Sequence, residues 1–293
     1  MRAIVLGAGG QLGCELVSDL SARGHEVIAL GRQQFDITNP DRVARGIKQH
    51  APDWVINAAA YNKVDLAEKE PQVAMEVNGL AVRSLAAACS KAGATFVHFS
   101  TDHVFEGTKT EPYTEADLPN PPSAYAVSKL AGELYARIYC ENLYLFRVAG
   151  VFGPAGRYTR HGNFPELILR KTREGSPLKV VEDFFVAPTY APALASRVID
   201  ALEKKIPFDL YHIGGGVSIS WYHWALKILD QTGLRAEIEP TNHREYKTPA
   251  RRPRYAGLSN AKIEATGISP MPSLDDALTD YLRRREKVQP PKE

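Results

Sequence analysis

The chain has 293 residues, of which 44% are hydrophobic and 24% charged, and its formal net charge is +2. These proportions are typical of a folded globular protein and exclude a collagen-like or disordered chain. The near balance of charge favours neither a nucleic acid nor a membrane as a partner, and no apolar run is long enough to cross a bilayer. Cys14, Cys89 and Cys140 are isolated and lack metal-ligand spacing, which predicts free thiols in a reducing cytoplasm.

A short apolar run, Arg2–Leu6, is followed by glycines at positions 7, 10 and 13. The run predicts a buried parallel strand, and the residues after it predict a helix to about residue 23. Between a strand and a helix, Gly7, Gly10 and Gly13 have the spacing for a tight turn, for close approach of the backbone to a pyrophosphate, and for close helix packing. The pattern therefore predicts a dinucleotide site at the first strand.

The second predicted strand, residues 25–30, ends at Gly31 and Arg32. The residue at this place usually reads the adenosine ribose, where an acid would bind a free 2′-hydroxyl. A guanidinium without a carboxylate suits a 2′-phosphate instead. Arg32 therefore predicts NADP, with NADPH preferred over NADH.

Strands and helices alternate along the rest of the first half. The predicted strands are residues 54–60, 95–100 and 143–148, and the predicted helices start at Asn39 and cover residues 71–91 and 125–140. This alternation predicts an α/β fold, a doubly wound parallel-sheet Rossmann domain over residues 1–150. Residues 151–293 are predicted to form mainly a smaller, interleaved C-terminal substrate-binding domain, with strands near 178–181 and 210–213 returning to the Rossmann sheet.

Two later helices have clear start signals. Ser220 is the expected N-cap of a helix over residues 220–231, and Ser273 is the expected cap of the last helix. Trp221, Tyr222 and Trp224 lie on the first of these helices, and their spacing predicts packing residues rather than ligand contacts.

Tyr125 and Lys129 stand at the start of the helix predicted for residues 125–140. Residues four apart lie on one face of a helix, so the phenol and the ammonium are expected to be neighbours. A nearby positive charge would lower the pKa of the tyrosine, which suits a general acid that protonates a developing alkoxide. Thr101 follows another predicted strand, from which its hydroxyl could bind a substrate oxygen.

Several stretches together indicate a known family: Gly7-x-x-Gly10-x-x-Gly13, Asn57-Ala-Ala-Ala-Tyr61, Val64-Asp65-x-Ala-Glu68, Ser100-Thr101-Asp102-x-Val-Phe-x-Gly, Tyr125-x-x-x-Lys129 and Arg251-Arg252-Pro253. With them, the chain resembles the dTDP-4-dehydrorhamnose reductases over nearly its whole length. These are extended short-chain dehydrogenases that reduce a nucleotide-activated 4-keto-6-deoxy sugar. The resemblance implies a cytoplasmic enzyme of deoxysugar and polysaccharide biosynthesis, with NADPH as cofactor, a nucleotide sugar as substrate and a homodimer as the assembly.

The motifs and the resemblance imply three sets of site residues. The catalytic residues are Tyr125 as the acid, Lys129 as the group that orients the nicotinamide ribose, and Thr101 as a donor to the reacting oxygen. The cofactor-binding residues are Gly7, Gly10, Gln11, Leu12, Gly13, Arg32, Asp36, Ile37, Ala58, Ala60, Tyr61, Tyr125 and Lys129. The substrate-binding residues are Val64, Thr101, Asp102, Asn163 and Arg252, and His161 belongs to the same stretch as Asn163.

The chain departs from the family pattern at two places. The family usually has Tyr at the position of His103. This histidine is either a second acid or, as expected here, a loop histidine satisfied by its neighbours. Many members have Trp at the position of Gly150, where it contacts the sugar. Its loss predicts a roomier wall and weaker selection among sugars, or a preference for a bulkier sugar, unless Phe152 or Tyr158 moves in. Glu15 matches one glutamate that binds Mg²⁺ in some relatives, but its partners have no equivalents, so no metal is predicted.

Two other functions are open at this point. A related epimerase or 4,6-dehydratase is one, although the dehydratases have an Asp-Glu pair after Ser-Thr and this chain has Asp102 followed by His103. The other is a non-catalytic NADP-binding regulatory subunit like the beta subunit of methionine adenosyltransferase, because such relatives can retain the site residues.

Overall fold

In the computed structural model, which describes residues 1–158 and 162–287, strands and helices alternate along most of the chain. The strands are β1 Arg2–Leu6, β2 Glu26–Leu30, β3 Trp54–Asn57, β4 Thr95–Thr101, β5 Leu143–Val148, β6 Val151–Phe152, β7 Leu178–Val181, β8 Phe185–Val186, β9 Thr189–Tyr190, β10 Leu210–Ile213, β11 Ile219–Ser220 and β12 Ile238–Thr241. The helices are α1 Gln11–Ala22, α2 Pro40–His50, α3 Val64–Ala67, α4 Pro71–Met75, α5 Ala81–Ala92, α6 Ala124–Tyr139, α7 Phe164–Arg173, α8 Ala191–Lys204, α9 Trp221–Thr232, α10 Ala261–Glu264 and α11 Leu274–Arg285.

The central sheet explains why the first-half strands are apolar runs. Within the described residues it has six strands, all parallel, in the order β2-β1-β3-β4-β5-β10. Helices α1 and α8 pack on one face, while α2, α5 and α6 pack on the other. Burial on both faces favours continuous hydrophobic strands. The predicted doubly wound α/β fold is confirmed.

The order of the strands also fixes where a ligand can bind. From β1 the chain moves to β2 on one side of the sheet and later to β3 on the other side. The direction therefore changes at β1, and the carboxyl ends of β1 and β3 diverge into a crevice. The glycine motif follows β1, and the segment 58–60 follows β3.

One strand assignment was wrong. Leu178–Val181 does not join the central sheet but pairs in parallel with Ile238–Thr241. Its buried side chains pack with α7, α9 and α11 in a separate apolar cluster. A four-residue apolar run fits any buried strand, so its sequence could not distinguish the two sheets. Leu210–Ile213 does lie in the central sheet, beside β5.

The helix starts follow local chemistry that the sequence shows. The side chains of Asn39, Ser220 and Ser273 each accept a hydrogen bond from a backbone amide of the first turn. The helix predicted for residues 71–91 is continuous, but it contains a π-helical turn over Glu76–Leu80 between α4 and α5. Among the described residues, no helix combines the length and the apolar character that a membrane span requires.

Candidate active site

The glycine loop is shaped by contacts that no side chain could share. Gly7 has φ +74°, and a Cβ there would lie 2.7 Å from the backbone nitrogen of Ala59. A Cβ on Gly13 would lie 2.2 Å from the carbonyl oxygen of Gly7. Gly10 caps α1, and its amide donates to the same carbonyl at 2.9 Å. The structure therefore contains the predicted tight turn and the close packing of α1 on it. Pyrophosphate binding stays a prediction.

A cavity of about 910 Å³ opens at the carboxyl ends of β1, β3 and β4. This volume is at the upper end of the range for ligand pockets. Described residues that line it are Gly10, Gln11, Leu12, Asn57, Ala58, Ala59, Ala60, Asn62, Lys63, Val64, Asp65, Leu66, Phe99, Ser100, Thr101, Asp102, His103, Tyr125, Lys129, Val148, Gly150, Val151, Gly162 and Arg252. The residues proposed for catalysis and most of those proposed for binding therefore share one cavity.

Only some of the predicted cofactor residues line the cavity. Those that line the cavity are Gly10, Gln11, Leu12, Ala58, Ala60, Tyr125 and Lys129. Three others have structural partners instead. Ile37 is buried in the core beneath the sheet, the Asp36 carboxylate accepts from the Thr38 hydroxyl at 2.7 Å, and the Tyr61 hydroxyl donates to Glu70 at 3.1 Å. Arg32 is exposed beyond the end of β2.

Tyr125 is buried in the wall of the cavity. Burial raises the pKa of its phenol above the usual range, while a hydrogen bond with the Thr101 side chain acts in the opposite direction. The Thr101 hydroxyl also donates to Asp102 Oδ1 at 2.9 Å and accepts from the His103 amide at 3.2 Å. Burial likewise raises the pKa of the Asp102 carboxyl. Thr101 is thus held beside the Tyr125 hydroxyl by bonds on both sides.

Lys129 does not lower the pKa of Tyr125 in the way that the four-residue spacing predicts. Its ammonium donates to the Phe99 carbonyl oxygen at 2.5 Å, and burial lowers its own pKa to about 8, opposed by the charge of Glu133. Burial dominates at Tyr125, whose pKa is raised. The expectation of a lowered tyrosine pKa was wrong because the spacing gives proximity on a helix but not the degree of burial.

The predicted substrate residues also occupy more than one place. Val64, Thr101, Asp102 and Arg252 line the large cavity, whereas Asn163 caps α7 and lines a smaller cavity beside it. His161 lies outside the described residues.

Arg252 reaches the cavity through an ion pair that joins distant parts of the chain. Its guanidinium donates to Asp65 Oδ2 at 2.8 Å, and the Ala250 amide donates to Asp65 Oδ1 at 3.2 Å. Glu68, from the same motif, accepts from the Ala124 amide at 2.8 Å at the start of α6. The Val64-Asp65-x-Ala-Glu68 motif thus fixes two elements of the site. The motif is visible in the sequence, but the roles of its two acids are not.

A second pair of residues was missed altogether. Glu133 and Arg147 form a buried ion pair behind Lys129, with each side chain 3% exposed. The only signals in the sequence are an arginine inside the apolar strand β5 and a glutamate four residues after Lys129. Buried charges are rare unless they are paired, so an arginine within an apolar strand was a usable sign.

His103 is not satisfied by its neighbours, contrary to expectation. Its ring packs edge-on against Tyr125, with the ring centres 5.7 Å apart, and its Nδ1 is buried without a hydrogen-bond partner among the described residues. Burial lowers the pKa of the imidazole, while the charge of Asp102 acts against this. His103 therefore presents a buried ring at the cavity wall, with its Nδ1 unpaired in the described part of the chain.

The wall at Gly150 is not simply empty. Gly150 has φ +43°, and a Cβ there would lie 2.5 Å from Cγ2 of Val186. Beside it lies a cavity of about 160 Å³ with strongly aromatic walls. Its lining residues are Gln11, Gly150, Val151, Phe152, Gly162, Asn163, Phe164, Pro165, Val186, Pro188, Trp221 and Trp224.

Trp221 and Trp224 pack in the C-terminal lobe as predicted, and both also line the small cavity. Trp224 is 1% exposed and belongs to the apolar cluster of the C-terminal lobe, yet it also lines the small cavity. Trp221 packs edge-on against Phe164 at 4.6 Å between ring centres and lines the same cavity. The small cavity shares Gln11 and Gly150 with the large one.

Glu15 takes part in an ion pair. Its carboxylate accepts from Arg284 at 3.1 Å, and burial raises the pKa of this carboxyl against the effect of the guanidinium. In the parts of the chain that the structure describes, His, Cys, Asp and Glu side chains form no cluster of three that could hold a metal.

Comparisons with known proteins identify the family of this chain. The family model described as the RmlD substrate binding domain matches residues 1–287. The spore coat polysaccharide biosynthesis protein SpsK of Bacillus subtilis is 36% identical over 287 residues, covering 98% of this chain and 99% of that protein. The dTDP-4-dehydrorhamnose reductase of Burkholderia thailandensis is 37% identical, covering 90% and 92%. This chain belongs to the dTDP-4-dehydrorhamnose reductase family.

Solved structures of the family superpose on nearly the whole chain. A dTDP-4-dehydrorhamnose reductase of Clostridium acetobutylicum is 33% identical with a TM-score of 0.93, covering 98% of this chain and 100% of that chain. The NADP complex of the Bacillus anthracis dTDP-4-dehydrorhamnose reductase is 30% identical with a TM-score of 0.91, covering 97% and 99%. A UDP-glucose 4-epimerase of Thermus thermophilus, 23% identical, shares the fold with a TM-score of 0.85. The family resemblance predicted from the motifs is confirmed.

Proposed function

We propose that this chain reduces the 4-keto group of a dTDP-activated 6-deoxy sugar with NADPH, converting dTDP-4-dehydro-L-rhamnose to dTDP-L-rhamnose. The observation that carries the proposal is that Thr101, Tyr125 and Lys129 line one cavity with the glycine-loop residues Gly10 and Gln11. The reductases among the relatives and the spore coat polysaccharide protein support deoxysugar synthesis for a polysaccharide as the context.

Several features in the cavity and near it suit the binding of NADPH. The N-terminus of α1 and the glycine loop offer backbone amides and a favourable helix dipole to a pyrophosphate. Arg32 stands at the end of β2, where the ribose phosphate is expected. Lys129 lies in the cavity wall and is the candidate partner of the nicotinamide ribose. When bound, NADPH supplies the hydride.

The side chains in the cavity donate the proton to the keto oxygen and stabilise the negative charge that develops there. Tyr125 donates its phenolic proton to the keto oxygen as that oxygen becomes an alcohol, and its raised pKa keeps this proton in place before the reaction. Thr101 hydrogen-bonds the same oxygen by turning toward it the hydroxyl proton that it donates to Asp102 in the free chain. Donors that point to the atom where negative charge develops stabilise the transition state more than the ground state. The Lys129 ammonium adds positive charge nearby.

The other functions considered from the sequence make different predictions. Elimination of water lacks its second acid because His103 follows Asp102. A non-catalytic subunit would bind NADPH without oxidising it. The deciding assay follows the loss of NADPH absorbance with dTDP-4-dehydro-L-rhamnose, and mass spectrometry checks that the product has gained two hydrogens. NADPH binding without turnover on this sugar, or on other nucleotide-linked 4-keto sugars, would favour the regulatory subunit.

We also propose that the enzyme is a cytoplasmic homodimer. An apolar stripe on α6 supports the assembly, because Val127, Leu134 and Ile138 are 44%, 52% and 71% exposed on one helical face. Val73 and Leu80, from the helical segment beside it, extend the stripe. Sedimentation of the wild type and of Ile138→Glu tests this proposal. A wild type that sediments as a monomer would contradict it.

A further inference from the structure

The wall behind Lys129 contains a buried carboxylate with an unusual number of partners. Glu133 lies one helical turn after Lys129 on α6. Its Oε1 accepts from Arg147 Nε at 2.9 Å and also from the Ser100 hydroxyl, and its Oε2 accepts from Arg147 Nη2 at 2.7 Å. The carboxylate is thus fixed by strands β4 and β5 as well as by its own helix.

The fixed carboxylate completes a small group of buried charges. Lys129 and Glu133 are 3% and 2% exposed, and Arg147 is 3% exposed. The group holds two cations and one anion, so these buried side chains have a net positive charge. A buried ammonium loses its proton readily unless an anion compensates it. Glu133 opposes this loss at Lys129.

Other titratable groups around Lys129 cannot replace Glu133. On β4, burial and the charge of Lys129 hold the pKa of His98 well below its usual range. On β10, burial lowers the pKa of His212, which lies beside Arg147, to about 3. Both imidazoles are therefore neutral near pH 7. Asp102 is engaged by the Thr101 hydroxyl and by its neighbour His103.

We propose that Glu133 is a positioning residue that keeps Lys129 charged and directed at the cofactor side of the cavity, with Arg147 and Ser100 holding the carboxylate in place. The inference rests on the proposed function, in which Lys129 meets the nicotinamide ribose. This role can be distinguished from a purely structural one, because the charges of Glu133 and Arg147 should shift the pKa of Lys129 in opposite directions. Removing the carboxylate favours the neutral amine, and removing the guanidinium favours the ammonium.

The test compares two variants that break the same ion pair, Glu133→Gln and Arg147→Met. The direct measurement is the pH titration of the Lys129 ¹³Cε resonance, assigned by its absence in a Lys129→Arg sample. We expect the midpoint to fall by about 1–3 pH units in Glu133→Gln and to rise in Arg147→Met. In the double variant Glu133→Gln/Arg147→Met we still expect a midpoint below the wild-type value, although above that of Glu133→Gln, because Glu133 lies one turn from Lys129 on the same helix and acts on it more strongly than Arg147 on β5.

Each result decides the question. Removing one partner of a buried pair is strongly destabilising, while replacing both can be nearly neutral, so the double variant provides the comparison if a single variant fails to fold. A wild-type midpoint in the double variant, or shifts of the same sign in both single variants, would overturn the proposal. The dissociation constant of NADPH is measured against pH in the same variants. It should rise at the pH where Lys129 loses its proton. This titration requires no sugar, so an inactive wild type would count against the proposed function only.

Discussion

Tyr125→Phe is the most informative single change because the structure separates its effects on stability and on chemistry. The ring packs in a small apolar cluster with Ala67 and Ala74, and phenylalanine retains that packing. Thr101 keeps its hydrogen bond to Asp102 when the phenol is removed, so no buried hydroxyl is left without a partner. The loss is one hydrogen bond, a change of about 0.5–1.5 kcal/mol in the free energy of unfolding.

The effect on turnover should be much larger. A positioned general acid contributes roughly a hundredfold to ten-thousandfold, which corresponds to about 2.7–5.5 kcal/mol in the activation free energy. The predicted result is therefore a collapse of kcat for dTDP-4-dehydro-L-rhamnose, with NADPH binding retained. Steady-state kinetics, fluorescence titration with NADPH and thermal unfolding measure the three quantities on one preparation.

Tyr135→Phe provides the matched control. Tyr135 lies on the same helix and packs against Tyr139, 6.3 Å between ring centres, outside the cavity walls. Its loss of a phenol should leave kcat near the wild-type value. A Tyr125→Phe enzyme with near-normal turnover on this sugar would remove Tyr125 from the proposed mechanism. An equal loss in both variants would point to damage of the helix.

Four further outcomes are expected. Arg32→Ala should weaken NADPH binding by about 1.5–3 kcal/mol and leave NADH binding unchanged, and an equal loss for both cofactors in calorimetry would show that Arg32 does not read the phosphate. Asp65→Asn should release Arg252 and raise the KM for the sugar nucleotide by roughly fivefold at unchanged kcat, a modest effect because the ion pair is partly solvated. Gly13→Ala should lower the unfolding free energy by about 1–3 kcal/mol and weaken cofactor binding, whereas Gly9→Ala, which has open space around its Cβ, should change neither. NADPH affinity should fall as the pH rises through about 8, where the Lys129 ammonium loses its proton, and a flat profile there would contradict a charged Lys129.

The parts of the fold that could be predicted from sequence are those set by local pattern. Apolar runs predicted the parallel strands, because strands that are buried on both faces are continuously hydrophobic and do not alternate with polar residues. Asn39 and Ser220 marked helix starts because a side-chain oxygen there satisfies a free backbone amide. The glycine spacing predicted the turn after β1, where Gly7 and Gly13 now show contacts that exclude any side chain.

The parts that could not be predicted depend on contacts between distant segments. Asp65 and Arg252 are 187 residues apart, and neither sequence context shows that they meet at the cavity. Leu178–Val181 has the composition of a buried strand, and only its pairing with Ile238–Thr241 excludes it from the central sheet. The pKa of Tyr125 follows from burial, which residue spacing does not report.

The wall at Gly150 depends both on local sequence and on contacts with distant segments. The missing aromatic side chain was visible in the sequence, and it predicted an open wall beside the sugar. Phe152, one residue expected to fill the space, is 2% exposed in the core of the C-terminal lobe and reaches only the small cavity. Instead Val186 lies over the glycine, so that a side chain at position 150 would require both a new backbone conformation and movement of Val186. A Gly150→Trp substitution would therefore test backbone strain as much as sugar selectivity. The shape of this wall is set by Val186 and Trp221 together with Gly150, three residues from separate segments, and an interpretation of sugar preference must consider all three.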